Sequence, residues 1–364
     1  MTRRSFGKFA AFLPLCNDFT LALRAEERVQ VGPVPPGAVR LSGNENPLGP
    51  CAEACEAISR VASQVAWYDP NGEAAEFLET VAQMEGLARD HVHAFAGSAD
   101  PLHRALFAFT SPQKALVLAD PGYEVPELSA RFVGAKVFRV PLRKDYAHDV
   151  KAMVKATPNA GVFFVCNPNN PTGTITPRKD IEWLLANKPK DSVVILDEAY
   201  IQYSLEPNAS DLVAMGKDLI VLRTFSKAYG LAGLRAGFAL ARPDLLAKML
   251  PYGAGKMSVT AAAAATASLQ IPDLVAERRK INTRVREETL NFLERQRIGY
   301  IPGPQANYFL MDTKRPGAEF ARAIAKENVF VGRTWSAYPN HVRVTVGTKE
   351  GMFQFQEAAK KAMA

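Results

Sequence analysis

Six short apolar runs punctuate the first two thirds of this chain, at residues 115–119, 137–140, 162–166, 193–196, 219–222 and 237–240. Most are unbroken by polar residues and rich in valine, leucine and isoleucine. They are too short for helices, and continuous apolar runs of this kind predict strands buried on both faces. Apolar residues recur at helical spacing over 74–87 and 101–109, the latter through Leu102, Leu106 and Phe109. Helices of about 10 residues fit between several of the runs, which argues a mostly parallel, doubly wound α/β sheet. After Pro251 the pattern changes. A long polar helix over 274–296 leads to short strands at 307–311, 329–331 and 342–346, and a helix covers 351–363. This second part predicts a smaller α+β domain over 251–364, beside a large domain over 51–250.

Polar residues stand where three of the runs end. Residues 193–196 lead into Asp197-Glu198-Ala199-Tyr200, and residues 162–166 into Asn167-Pro168-Asn169-Asn170-Pro171-Thr172-Gly173, a proline- and glycine-braced turn. The run 219–222 leads into Thr224-Phe225-Ser226-Lys227-Ala228-Tyr229, with Arg235 eight residues after the lysine. Strand C-termini are where open α/β sheets bind ligands. An amine, a hydroxyl and a guanidinium so close together suit a phosphate cofactor held covalently. Each piece also has a plain reading: an acid can cap a helix, and a lysine after a strand is usually solvated. Three strand ends that each deliver a polar group fit those plain readings poorly.

The pieces together resemble the fold-type I pyridoxal-phosphate aminotransferases, and within them the histidinol-phosphate aminotransferases. The resemblance rests on Asn44-Glu45-Asn46-Pro47-Leu48-Gly49-Pro50, on Asn167 to Gly173, on Asp197 to Tyr200, on Thr224 to Lys227, on Gly230 to Gly237 and on Arg343-Val344-Thr345-Val346-Gly347-Thr348. These motifs are specific for the superfamily and much less so for the substrate. The resemblance implies pyridoxal 5'-phosphate, with Lys227 as its covalent anchor and proton carrier. Asp197 would pair with the pyridine nitrogen, Asn170 and Tyr200 would bond the phenolic oxygen, and Tyr123 would stack on the ring. Ser226 and Arg235 would grip the phosphate, aided by backbone N–H groups of Gly97, Ser98, Ala99 and Asp100 at a helix start. Arg343 and Arg333, with Asn46, would meet the substrate, since a planar guanidinium suits a carboxylate or a phosphate. Tyr68 matches a tyrosine that reaches across a homodimer to the neighbour's cofactor phosphate.

The chain departs from the family pattern in two places. Pro101 follows Gly97-Ser98-Ala99-Asp100, which the first turn of a helix tolerates. Trp67-Tyr68-Asp69-Pro70 stands where relatives carry arginine, tyrosine and proline. The implied activity is transfer of an amino group between an amine or amino acid and a 2-oxo acid by a ping-pong route. Histidinol phosphate with 2-oxoglutarate is the leading pair. An aromatic amino acid as donor, or a related lyase such as a phosphothreonine decarboxylase, shares the same cofactor residues. The resemblance also places an N-terminal arm, residues 29–50, with the small domain, and the active sites across a homodimer.

Composition narrows little further. The 364 residues are 48% hydrophobic and 22% charged, ordinary for a globular protein. The net charge of +7 comes from dispersed basic residues, so nucleic acid is not an expected partner. Four cysteines make no disulfide framework in a chain this long, and Cys51 with Cys55 is a poor metal pair, so no metal is expected. Thr2-Arg3-Arg4-Ser5-Phe6-Gly7-Lys8 matches a twin-arginine export pattern, and apolar stretches at 9–15 and 19–23 follow. Residues 1–28 read either as such a signal, with a periplasmic product, or as a cytoplasmic protein's N-terminal segment packed on a partner subunit. The stretch is too short to span a membrane.

Overall fold

The structure, a computed structural model, describes residues 34–363. The twin-arginine pattern and Cys16 lie outside them. The described residues form eleven strands: β1 (Val39–Leu41), β2 (Val92–Ala96), β3 (Ala115–Asp120), β4 (Val137–Pro141), β5 (Ala160–Cys166), β6 (Val193–Asp197), β7 (Leu219–Thr224), β8 (Ala236–Leu240), β9 (Tyr308–Asp312), β10 (Val329–Val331) and β11 (His341–Thr345). Seven make one sheet in the order β2-β8-β7-β6-β5-β3-β4, and β8 alone runs against the others. All six apolar runs lie in this sheet. Every residue of β5, β6, β7 and β8 is buried, which accounts for their unalternating composition. Register sets Cys166 beside Asp197 and Asp197 beside Leu222, so β5, β6 and β7 end level with one another.

Two apolar cores cover the sheet faces, and a third lies around β9, β11 and the helices Leu274–Arg295, Gly317–Ala325 and Lys349–Met363. Leu41 packs in the third core, and β1 pairs in parallel with β10. Residues 39–41 are thus bound to the C-terminal part.

The boundary expected at residue 251 needs correction. The helix Val259–Leu269 packs beneath the large sheet, against the helices Ala52–Val61 and Glu73–Glu85. Its five consecutive alanines, Ala261 to Ala265, are all buried, and a helix apolar on every side belongs inside a core. Two strands, β1 and β2, were not anticipated. In β2 only Val92 and Phe95 are buried, and the small Ala94 and Ala96 carry little strand signal. Cys51 is the N-cap of the helix Ala52–Val61, and Cys55 lies exposed within it.

Candidate active site

A cleft of about 690 Å³ opens at the level ends of β5, β6 and β7. Its far wall comes from residues 42–45, 330–333 and Arg343. On the sheet wall, Asp197 is 4% exposed and accepts a hydrogen bond from the Ala199 N–H at 3.1 Å. Burial lifts its carboxyl to about 6, against the pull of that bond and of Lys227. Behind it, Glu198 is buried against Arg223 at 2.6 Å, and Arg223 also meets Glu85 at 3.1 Å, so the neighbouring charges are compensated.

Lys227 follows β7 and points its Nζ into the cleft, 3.2 Å from the Gly43 carbonyl oxygen. Burial, then the nearby Arg343 charge, lower its ammonium to about 8. About a tenth of the amine is therefore free base at pH 7, far more than for an ordinary lysine. The Nζ lies 5.6 Å from the Tyr200 ring centre. Tyr200 accepts at its phenol oxygen from Asn44 Nδ2 at 3.0 Å, and its ring meets the edge of Tyr308 at 4.9 Å. Burial raises the Tyr200 phenol, so it stays protonated. Tyr123 lines the cleft as well, and its phenol is raised by burial and by Asp197.

Ser226 and Arg235 meet at one end. Arg235 Nη1 donates to Ser226 Oγ at 3.2 Å, and Thr224 Oγ1 donates to the same oxygen at 2.9 Å. Ser98 and Ala99, at the start of the helix Ala99–Phe109, face this end. Gly97 has φ +79°, and a Cβ built there would lie 2.5 Å from Arg235 Nη2. Gly237 stands alongside: its built Cβ would lie 2.6 Å from the Gly97 carbonyl carbon and 2.8 Å from the Arg223 oxygen. The Asp100 side chain turns away. It binds Arg104 at 2.7 and 2.9 Å, and Arg104 in turn holds the carbonyl oxygens of Gly253 and Gly255. Pro101 falls within the first helical turn, where no N–H is needed.

At the other end Arg343, 8% exposed, donates to Asn170 Oδ1 at 2.8 Å and to the Ser42 carbonyl oxygen at 2.7 Å. Its Nε is buried with no hydrogen-bond partner. Arg333 pairs with Glu124. Two expected residues lie elsewhere. Asn46 donates to the Ala228 carbonyl oxygen at 2.9 Å and accepts from the Leu48 N–H, so it braces the turn after Lys227 instead of lining the cleft. Tyr68 is 93% exposed, beside the exposed Val65 and Trp67. Sequence reasoning missed Asn44 and Glu124. Asn44 has φ 52°, a left-handed conformation that asparagine tolerates, and it exchanges hydrogen bonds with Thr345 as well as Tyr200. Among the described residues no three His, Cys, Asp or Glu side chains gather where they could hold a metal ion.

Residues 36–358 match the family model of aminotransferase class I and II. A histidinol-phosphate aminotransferase of Moorella thermoacetica is 31% identical over 371 residues, covering 97% of this chain and 94% of the relative. One from Symbiobacterium thermophilum is 34% identical and covers 89% of this chain and 90% of its own. Among solved structures, the histidinol-phosphate aminotransferase of Sinorhizobium meliloti in complex with pyridoxal-5'-phosphate superimposes with a TM-score of 0.81 at 23% identity, covering 90% of each chain. Aspartate aminotransferase from Thermus thermophilus with maleate gives 0.80 at 22% identity, covering 89% of this chain and 91% of that one, a likeness of fold alone. With the family model matched over most of its length, this chain belongs to the class I and II aminotransferases and is a pyridoxal-phosphate-dependent aminotransferase.

Proposed function

We propose that the protein transfers an amino group from histidinol phosphate to 2-oxoglutarate in two half-reactions through this one cleft. The observation that carries the substrate reading is the 31% and 34% identity to histidinol-phosphate aminotransferases, along 97% and 89% of the chain. The cleft's residues suit pyridoxal phosphate. A hydroxyl and a guanidinium converge at one end, close enough to Gly97 that a Cβ there would collide with the guanidinium. A buried carboxylate and a lysine of lowered basicity sit farther in.

When bound, pyridoxal phosphate supplies an electron sink for the substrate carbon that loses its proton. Lys227 Nζ, in the cleft and of lowered basicity, would hold the cofactor covalently and would serve as the base that moves the substrate proton. Asp197, whose Oδ1 already accepts from the Ala199 N–H, would pair through its remaining oxygen with the protonated ring nitrogen. Asn44 occupies a lone pair of the Tyr200 oxygen, which leaves the Tyr200 hydroxyl proton to donate. Arg343 occupies Asn170 Oδ1, which leaves the Asn170 amide N–H to donate. Both groups are thus set to face the cofactor's phenolic oxygen as donors. Ser226, Arg235 and the N–H groups of residues 97–100 hold the phosphate. Arg343 and Arg333 bind the anionic groups of the two substrates. Tyr68 reaches the site of a second copy in a homodimer, consistent with its exposure beside Trp67. The smaller unit in this reading is residues 34–50 with the chain from Leu274 onward; residues 29–33 of the expected arm lie outside the described residues.

Half-reaction spectra test the substrate. Histidinol phosphate is expected to shift the visible band of the loaded enzyme at lower concentration than phenylalanine or phosphothreonine. A shift with phenylalanine and none with histidinol phosphate would refute it.

A further inference from the structure

We propose that Glu124 is a specificity-determining residue: its carboxylate competes with substrate for Arg333 and sets how strongly the cleft takes a ligand's second anionic group. This rests on the reading that Arg343 and Arg333 face the substrate. The two guanidiniums differ in their partners. Arg343 has neutral acceptors, Asn170 Oδ1 and the Ser42 carbonyl, and an Nε without a hydrogen bond. Arg333 Nη2 is ion-paired to Glu124 Oε2, and the two side chains are only 15% and 20% exposed.

Both cations also lie over the Trp335 ring, Arg333 at 4.8 Å and Arg343 at 5.5 Å from its centre. They occupy one neighbourhood and repel each other, and Glu124 offsets that repulsion. With Glu124 paired to Arg333, the pair is neutral overall and Arg343 remains as the cation for a first anion. A second anion has to take Arg333 from Glu124. Ligands with two anionic groups therefore bind against a built-in competitor, while ligands with one do not meet it. The ion pair is not the sole link across this join, because Trp335 Nε1 donates to the Gly122 carbonyl oxygen at 3.1 Å there. Replacing Glu124 by its amide should leave the wall in place.

Calorimetric titration of the pyridoxal-phosphate-loaded enzyme with glutarate and with butyrate tests this in wild type, Glu124→Gln and Arg333→Met. Glu124→Gln is expected to bind glutarate roughly fivefold tighter, as for loss of one partly shielded charge competitor, with butyrate unchanged. Arg333→Met is expected to bind glutarate more weakly than wild type. If Arg333→Met weakens glutarate but Glu124→Gln does not strengthen it, or strengthens butyrate equally, the inference falls and the substrate role of Arg333 stands. If Arg333→Met leaves glutarate unchanged, that role falls and the inference with it.

Discussion

The two walls of the cleft are built in opposite ways. The sheet wall draws Asn170, Asp197, Ser226 and Lys227 from just beyond, or at, the ends of three adjacent strands. Each residue sits where its own short stretch of sequence puts it. The facing wall is assembled from distant parts of the chain: Arg343 to Ser42 and Asn44 to Thr345 each join residues 301 positions apart, and Asn307 to Asn44 joins residues 263 apart. In the proposed reading the sheet wall carries the groups that serve the cofactor, and the facing wall carries the cations that meet the substrate, each with different partners. Damage to the first should abolish chemistry, and damage to the second should redistribute it.

The contrast is sharpest at Lys227. Lys227→Ala should lower turnover by at least about 10²–10⁴-fold and remove the visible band of the covalently held cofactor. Near-normal turnover would break the contrast at its strongest point. On the facing wall, Arg343→Met should cost about 3 kcal/mol, roughly a hundredfold in kcat/KM, because a buried hydrogen-bonded cation is lost opposite an anion. The visible band should persist, and its loss would mean that the two walls are not separable.

A third outcome concerns pH. In the proposed reading the free base of Lys227 captures the cofactor, and its folded ammonium is lowered to about 8 from the ordinary 10.5. Below that midpoint, stopped-flow capture should accelerate about tenfold for each unit of rising pH, then level off. A midpoint near 10.5 would deny the burial of the amine. The same lowering means that the cost of burying the charged lysine is fully present below pH 8. It is relieved as pH rises from 8 toward 10.5, where the unfolded chain binds the extra proton. Asn44→Ala removes the donor to Tyr200 and the link to Thr345, and should cost about 1–2 kcal/mol in urea unfolding. Tyr68→Ala should change the unfolding of a dissociated single chain by no more than about 0.5 kcal/mol, since the side chain is exposed. Weaker cofactor retention at concentrations favouring association would then point to the second copy.

The sheet wall was legible because its information is local. Continuous valine and leucine runs declared β5, β6 and β7, and the polar residue after each run fell at the cleft. The facing wall was not legible for the converse reason. Nothing near Asn44 announces Tyr200 or Thr345, and the resemblance points to Asn46, which braces the Lys227 turn, where the structure sets Asn44 in the cleft. Glu124 follows a tyrosine in an ordinary helix-start sequence, and only the third dimension brings Arg333 to it. The helix Val259–Leu269 was assigned to the wrong side of a boundary because its position in the sequence, and not its all-round apolar surface, guided the division.

The adjoining glycines at 97 and 237 limit how this protein can vary. A methyl group at 237 meets only main-chain atoms, which cannot yield, so any replacement there should surface as poor expression or misfolding. A methyl group at 97 meets the tip of Arg235, which can swing aside, but only by letting go of Ser226. Saturation libraries at the two sites should both return glycine under selection for growth. A selection for folded protein alone should separate them only in degree, alanine at 97 carrying the strain of a left-handed backbone and alanine at 237 a clash with main-chain atoms.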